Sequence, residues 1–91
     1  MLTLKTTSRF RKDYKLAKKR GLDLSLLETV IDTLLSEKPL DPKYKDHALT
    51  GDYVGFRECH ILPDWLLLYS IHQETHILMV SRTGTHANLF G

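Results

Sequence analysis

The last ten residues of the chain hold two side chains suited to phosphate-ester chemistry. Arg82 and His86 lie four residues apart, and Gly84 between them allows the backbone to turn. Arginine offers a permanent cation whose planar fork of donors matches phosphate oxygens. Histidine can give or take a proton near neutral pH. The pair therefore predicts that Arg82 binds an anion and that His86 acts as a general acid, the alternative for His86 being a capping role in a C-terminal loop.

Two further histidines extend this set. His47 follows Lys45-Asp46, and His60 lies just before the dipeptide Pro63-Asp64. Asp64 lies across a tight turn from His60, so it is expected to orient that ring or to favour its charged form. The alternatives are an exposed loop histidine for His47 and a strand histidine bonded to a neighbour for His60. The residues alone leave open whether His47 or His60 is the general base.

Three more side chains are candidates for contact with a phosphate-ester substrate. Trp65, at a strand start beside Asp64, is predicted to be half-exposed and to stack on a base, although a tryptophan is more often a core residue. Phe90 is predicted either to stack in the same way or to fasten the C-terminus. Arg57 is predicted either to contact a phosphate or to form a structural ion pair, and the sequence does not favour one over the other.

The histidines and the single cysteine do not have the spacing of a metal site. Cys59 and His60 are adjacent, so in a strand their side chains point to opposite faces. The paired ligands of a structural zinc site are also missing. We therefore predict no metal and no cofactor. A lone cysteine forms no internal disulfide, and Cys59 is expected to be an inert strand residue of a cytoplasmic protein.

Positive charge is concentrated at the N-terminus. Residues 1–20 hold eight basic residues and one acid, a net charge of +7, whereas residues 21–91 carry −5. A helix through this region places five cations within a third of its circumference. They are Arg11, Lys12, Lys15, Lys18 and Lys19. This one-sided stripe predicts a surface that binds a polyanion, and the alternative is a solvated helix face.

Composition and length indicate one soluble domain spanning residues 1–91. The chain has 91 residues, of which 42% are hydrophobic and 26% charged, values that are ordinary for a globular protein. No apolar run approaches the roughly 20 residues that span a bilayer. The charged segment 9–20 also excludes a signal-peptide pattern, so we expect no association with a membrane.

The N-terminal half predicts a short strand followed by a helical hairpin. Residues 2–6 alternate apolar and polar side chains. Thr7 or Ser8 caps a first helix that ends near Gly21, with Phe10, Tyr14 and Ala17 facing inward. Asp23 or Ser25 caps the second helix, where Ser25 and Glu28 have the spacing of a capping box.

The C-terminal half predicts a long loop and three strands. The loop covers residues 37–50, and the strands cover 53–62, 65–71 and 76–82. The apolar run 65–69 is typical of a central strand that is buried on both faces. The order β-α-α-β-β-β indicates an α+β fold in which an antiparallel sheet carries the helical hairpin on one face.

Three segments, in this order, resemble the YafQ-type toxins of the RelE/ParE superfamily. They are Tyr44–Leu49, Pro63–Trp65 and Arg82–Phe90. The resemblance covers nearly the whole chain and implies a RelE-like fold. It also implies a type II toxin that cleaves mRNA in the ribosomal A site, a nuclease that inhibits translation. The 2′-hydroxyl would attack the phosphodiester with acid–base assistance and without a metal.

The resemblance also implies site residues and partners. The family's functional positions correspond to His47, His60, Asp64, Arg82, His86 and Phe90, with Trp65 adjoining. Glu58 stands where relatives carry an aspartate. The implied partners are a cognate DinJ/RelB-like antitoxin, the 70S ribosome with its rRNA, and mRNA.

Two other functions are compatible with such a fold, because a fold does not determine a function. The first is a non-catalytic ParE-like toxin that inhibits a protein such as DNA gyrase. The second is a basic RNA-binding module that performs no chemistry. Three histidines around an arginine favour the nuclease, since neither alternative requires proton-transfer groups.

Overall fold

Five strands and three helices make up the fold, and a computed structural model describes residues 1–91. In chain order the elements are β1 Thr3–Thr6, α1 Ser8–Lys19, α2 Leu24–Leu35, β2 His47–Ala48, β3 Arg57–Leu62, β4 Trp65–His72, β5 Ile77–Gly84 and α3 His86–Phe90. None of the helices is both long enough and apolar enough to cross a membrane.

The helical hairpin forms as the capping residues predict. The Thr7 hydroxyl accepts a hydrogen bond from the Phe10 amide at the start of α1. Gly21 follows α1 with a φ of +79°, a left-handed conformation that glycine adopts without a steric penalty. Asp23, and not Ser25, caps α2 by accepting a hydrogen bond from the Ser25 amide. The expected capping box between Ser25 and Glu28 is absent because Ser25 lies inside the helix.

The strands form one sheet in the order β1-β5-β4-β3-β2. Neighbouring strands are antiparallel except for β1 and β5, which run parallel with Thr3 opposite Ile77. The antiparallel sheet expected from the sequence is thus joined by one parallel strand at its edge. The helical hairpin between β1 and the rest of the sheet provides the long connection that a parallel pair requires.

The central strand β4 is buried on both faces, which confirms the expectation from its apolar run. Trp65, Leu67 and Tyr69 belong to the main core, into which α1 and α2 pack Phe10, Ala17 and Leu27 among others. Leu66 and Leu68 point to the opposite face and form a small second core with Leu89 of α3. Both faces of β4 are therefore covered, the second one by the C-terminal helix.

Three local features differ from the sequence expectation. The strand expected from residue 53 begins only at Arg57, because Gly51–Tyr53 forms a 3-10 turn and Gly55 has a φ of +94°. The expected loop at 37–50 contains a 3-10 turn at Pro42–Tyr44 and the short strand β2. The final strand extends to Gly84, and α3 follows it where only a turn was expected.

Candidate active site

The strand register places the candidate residues in two adjacent rows across the sheet. In the first row, His47 on β2 lies opposite Glu58 on β3, which lies opposite Leu68 on β4, which lies opposite Arg82 on β5. Adjacent strands are about 4.8 Å apart, so the backbone of Arg82 is roughly 10 Å from that of Glu58. Residues directly opposite each other share a face, and the row therefore places His47 and Glu58 together.

The second row brings in the other two histidines. His60 lies opposite Leu66, which lies opposite Gly84 at the end of β5. His86, two residues beyond Gly84, is the first residue of α3. A capping box between Thr85 and Asn88 fixes the start of this helix, and Leu89 holds it against the second core.

Three imidazole rings therefore form a continuous line, which we call the histidine row: His47, His60 and His86. The ring centroids of His47 and His60 are 6.5 Å apart, and those of His60 and His86 are 6.2 Å apart. The rings come from the edge strand β2, the neighbouring strand β3 and the C-terminal helix α3. The structure thus brings together the three histidines that the sequence had singled out.

Backbone carbonyls fix the orientation of two of these rings. Nδ1 of His47 donates to the Lys45 carbonyl over 2.8 Å, and Nδ1 of His60 donates to the Pro63 carbonyl over 3.2 Å. A carbonyl oxygen can only accept, so each Nδ1 carries a proton. In the neutral rings Nε2 is therefore the nitrogen free to accept a proton.

Glu58 lies between these two Nε2 atoms, and the sequence analysis assigned it no role. Its Oε1 is 3.6 Å from Nε2 of His47 and 3.5 Å from Nε2 of His60. The residue is only 4% exposed, and a buried carboxylate is retained in a fold when cationic or donor groups surround it. The strand period of two, which puts Glu58 and His60 on one face of β3, was the signal in the sequence.

These side chains are not arranged as a metal centre. No group of three His, Cys, Asp or Glu side chains is gathered in a geometry that could hold an ion. Cys59 lies beside the row but faces the main core, and burial raises the pKa of its thiol to about 12.

Arg82 is held by Asp13 of α1. Nε and Nη2 of the guanidinium donate to the two carboxylate oxygens over 2.7 and 3.3 Å. The Thr83 amide donates to the same carboxylate over 3.2 Å. Hydrogen bonding to Asp13 raises the pKa of Arg82 above its ordinary value, so the cation is permanent. Asp13, the single acid among the first 20 residues, was not identified from the sequence.

Asp64 and Trp65 do not occupy their expected positions. Asp64 makes no hydrogen bond to His60, whose Nδ1 is bound by the Pro63 carbonyl instead. Trp65 is 3% exposed, not half-exposed, and its Nε1 donates to the Thr83 hydroxyl over 2.9 Å. The indole therefore belongs to the core, because β4 is covered on both faces. Asp64 and Trp65 instead line a pocket of about 440 Å³, together with Asp13 and Arg82.

Arg57 forms a structural ion pair, the second of its two expected roles. Its Nη2 donates to the Asp46 carboxylate over 3.0 Å, and the Tyr69 hydroxyl donates to the same carboxylate. Phe90 packs edge-to-face on Tyr53 with the ring centroids 5.1 Å apart, and its centroid is 5.7 Å from that of His86. Phe90 thus fastens the C-terminus, and it keeps 38% of its surface exposed.

The basic stripe lies on the exposed side of α1. Arg11, Lys15, Lys18 and Lys19 are exposed, whereas Phe10 and Ala17 are buried on the other side and Tyr14 packs against the core. Arg11 is tied to the end of β1 by two hydrogen bonds to Thr6. The three lysines make no ion pair, so their charges are available to a polyanion.

Comparison with a family profile and comparison with single proteins point to the same family. Residues 2–91 match the sequence profile of a family described as the YafQ bacterial toxin of type II toxin–antitoxin systems. The chain is 42% identical over 86 residues to the mRNA interferase toxin YafQ of Escherichia coli strain K12. The match covers 93% of this chain and 91% of that relative.

Solved structures of relatives also superpose on almost the whole chain. A metal-bound toxin from Helicobacter pylori superposes with a TM-score of 0.94 at 49% identity, covering 99% of this chain and all of that one. YafQ in the E. coli DinJ–YafQ complex superposes with a TM-score of 0.91 at 39% identity, and both chains are covered completely.

Proposed function

The chain belongs to the YafQ toxin family of bacterial type II toxin–antitoxin systems, and from this premise we propose that it is a ribosome-dependent endoribonuclease that cleaves mRNA in the A site. The observation that carries the proposal is the histidine row with Glu58 at its centre. RNA provides its own nucleophile, so the protein needs only a base, an acid and stabilisation of charge.

We assign the base to His47, Glu58 and His60 acting as one unit. Both Nε2 atoms approach the same carboxylate oxygen at 3.5–3.6 Å, so the positive charge that either ring gains with a proton lies beside the Glu58 carboxylate. Because each Nδ1 already donates to a carbonyl, Nε2 receives the proton of the 2′-hydroxyl. The 2′-oxygen then bonds to phosphorus, and Glu58 compensates the charge of the imidazolium.

We assign the acid to His86. Its ring lies at the far end of the row, 6.2 Å from that of His60, so a phosphodiester held between them places the 2′- and 5′-oxygens towards different rings. His86 gives its proton to the 5′-oxygen as the P–O5′ bond breaks, which leaves a 2′,3′-cyclic phosphate and a 5′-hydroxyl. Each proton-transfer group of this kind contributes typically about 10²–10⁴-fold to the rate.

Arg82 is suited to stabilise the negative charge of the transition state, and one edge of its guanidinium is free to do so. Asp13 occupies the Nε–Nη2 edge, and a guanidinium has five N–H donors. The Nη1–Nη2 edge keeps a parallel pair of donors that can reach two non-bridging phosphate oxygens. The ion pair also fixes the direction of that edge before substrate binds, which lowers the cost of organising the site.

The partners follow from the same family. E. coli YafQ is found in complex with DinJ, and we propose that a DinJ/RelB-like antitoxin binds this chain. The exposed stripe on α1 is proposed to contact rRNA of the 70S ribosome, which places the activity in the cytoplasm. Phe90, exposed in part beside His86, remains a proposed contact for a base of the mRNA.

Mapping of mRNA 5′ ends after brief expression in cells tests the function. The proposal expects new 5′-hydroxyl ends at codon-registered positions in translated reading frames, and none in untranslated RNA. Intact mRNA together with altered DNA supercoiling would instead support the gyrase-inhibiting alternative. A variant lacking the row, His60→Ala with His86→Ala, is the control and is expected to produce no ends.

A further inference from the structure

A second pocket adjoins the histidine row and is unlike the one that contains Arg82. Its volume is about 390 Å³, and its eight lining residues include Lys43, Tyr44, Lys45, His60, Leu62 and Pro63; we call it the lysine pocket. This volume is within the range of about 300–1,000 Å³ that is typical of small-ligand sites. Because His60 forms part of its wall, a ligand in the lysine pocket lies next to the proposed chemistry.

The lysine pocket holds two cations that no acid neutralises. Outside the first 20 residues the chain has only five basic side chains. Two of them, Arg57 and Arg82, are neutralised by Asp46 and Asp13. Lys43 and Lys45 take part in no ion pair, and none of the residues lining the pocket is acidic.

The loop that carries these lysines is fixed by its own hydrogen bonds. The Lys43 amide donates to the Asp41 carboxylate over 2.9 Å, and the Lys45 amide donates to the Pro42 carbonyl over 3.0 Å. Lys45 has a φ of +50°, a left-handed conformation that is uncommon for a residue with a side chain. Its carbonyl is the acceptor for His47 Nδ1, so the loop and the row are held in one arrangement.

Tyr44 adds an aromatic surface between the two lysines. Its ring packs partly against the main core, and Lys43 Nζ lies 5.2 Å from the ring centroid. Aromatic rings bind unpaired bases by stacking in a way that tolerates any sequence. Two lysines and one tyrosine beside a catalytic row thus form the combination that binds single-stranded RNA.

We propose that the lysine pocket binds one nucleotide of the substrate mRNA next to the scissile bond. The base takes the place of the Lys43 ammonium over the Tyr44 ring, and Lys43 and Lys45 then bind the phosphate of this nucleotide. The inference rests on the proposed function, because it extends the same site along the strand. The pocket containing Arg82 is less suited to this role, since Asp64 brings an unpaired carboxylate to it.

The test measures binding to 70S ribosomes programmed with an mRNA that carries a 2′-deoxynucleotide at the attacked position, which prevents cleavage. A neutral methylphosphonate is placed at each flanking linkage in turn. With the wild-type protein, the neutral group at one linkage is expected to lower the affinity about tenfold. With unmodified mRNA, Lys43→Gln/Lys45→Gln is expected to bind about tenfold more weakly than the wild type. The neutral group at that same linkage should weaken binding of the variant little further, because the effects of two groups in contact are not additive. The variant's log–log salt slope is expected to be shallower by about 0.7, as for one phosphate contact.

Matched controls remove the effect of net charge and of folding. Lys5→Gln/Lys38→Gln makes the same change in charge away from the pocket and is expected to bind like the wild type. Tyr44→Phe keeps the ring and is expected to keep affinity, whereas Tyr44→Leu is expected to lose about fivefold to a hundredfold if one base stacks there. The melting temperature of each variant separates loss of binding from loss of the fold.

The outcomes separate this inference from the proposed function. If the wild type cleaves unmodified mRNA but no linkage couples to the two lysines, the lysine pocket does not hold the substrate strand. If the affinity of Lys43→Gln/Lys45→Gln falls equally whichever linkage is neutral, the lysines contact rRNA. If the variant binds the ribosome normally but the antitoxin weakly, they contact an acidic segment of the antitoxin. Either result overturns the inference. If the wild type cleaves no mRNA, the proposed function fails, while the binding assay still decides the question of the pocket.

Discussion

Arg82 and Asp13 form a two-point ion pair between the end of the sheet and the middle of α1. Nε and Nη2 of Arg82 donate to the Asp13 carboxylate over 2.7 and 3.3 Å. The arginine therefore presents only its Nη1–Nη2 edge to a ligand. The pair connects α1 with the candidate active site, since Asp13 lies on the side of α1 that faces β5 and not in the exposed basic stripe.

Asp13→Asn is expected to impair both stability and cleavage. The amide keeps one acceptor but loses the charge, and a hydrogen bond to a charged group contributes about 1.5–3 kcal/mol to the free energy of unfolding. Single-turnover cleavage on programmed ribosomes is also expected to slow, because the guanidinium is no longer held. Asp32→Asn on the exposed side of α2 is the control. A normal cleavage rate in Asp13→Asn would show that the ion pair serves only the fold.

Arg82→Lys is expected to be damaging although it keeps the charge. A lysine lacks the planar fork that holds Asp13 on one edge and offers two parallel donors to a phosphate on the other. Single-turnover cleavage by this variant is expected to fall at saturating ribosome concentrations. A wild-type rate would mean that a point charge is sufficient at this position.

His86→Ala is expected to lower the single-turnover cleavage rate by about 10²–10⁴-fold without changing the melting temperature. His86 is exposed on α3 and makes no hydrogen bond, so the fold does not depend on it. His76→Asn provides a control, because His76 is an exposed histidine at φ +55°, which asparagine tolerates. Wild-type cleavage by a folded His86→Ala protein would contradict the assignment of the general acid.

His47→Asn tests the roles of the two ring nitrogens of His47 separately. The asparagine amide can replace Nδ1 as the donor to the Lys45 carbonyl, but nothing replaces Nε2 beside Glu58. The cleavage rate is expected to fall equally in His47→Asn and His47→Ala. The loop is expected to keep its stability in His47→Asn and to lose stability in His47→Ala. Glu58→Gln tests the same cluster from its centre. If both variants cleave normally, the base is His60 alone.

The sequence predicted elements that depend on local signals. The caps at Thr7 and Asp23, the stop at Gly21 and the apolar run of β4 each act over a few residues, and all appear as expected. The helix α3 could not be predicted, because five residues give no helical period and its one buried side chain, Leu89, packs against distant residues on β4.

The candidate site likewise contains residues that the sequence identified and residues that it did not. Residue types identified His47, His60 and His86, because few structural roles require histidine. The strand period of two places Glu58 on one face of β3 with His60, but its position opposite His47 depends on the pairing of β2 with β3. The role of Asp13 depends on the contact between α1 and β5, which no local pattern reveals. Trp65 was misplaced for the same reason: its burial depends on the helices that cover β4.

Cys59 is expected to be unreactive in the folded protein. Burial raises the pKa of its thiol to about 12, against an ordinary value of 9.0. Iodoacetamide at pH 8.5 should therefore label Cys59 only after denaturation. Above about pH 9 the unfolded thiol ionises and the folded one does not, so this residue lowers the stability by about 1.4 kcal/mol for each further pH unit. Cys59→Ala should not show this loss, and rapid labelling of the native protein would contradict the burial.

Charge reversal on α1 is expected to weaken binding to the ribosome without slowing the chemical step. Lys15, Lys18 and Lys19 are exposed and unpaired, so their replacement by glutamate should change the melting temperature little. The half-saturating ribosome concentration should rise and depend less on salt, since fewer counterions are released on binding. The maximum single-turnover rate should stay near normal because the stripe lies outside the histidine row.

Lys15→Glu/Lys18→Glu can be compared directly with Lys5→Glu/Lys38→Glu, which makes the same change in net charge away from α1. Only the first pair is expected to raise the half-saturating concentration, because a binding surface depends on where its charges lie and a long-range field depends on their sum. Equal effects of the two pairs would mean that net charge alone steers the protein to the ribosome. No effect of the first pair, together with weaker antitoxin binding, would assign the stripe to the antitoxin.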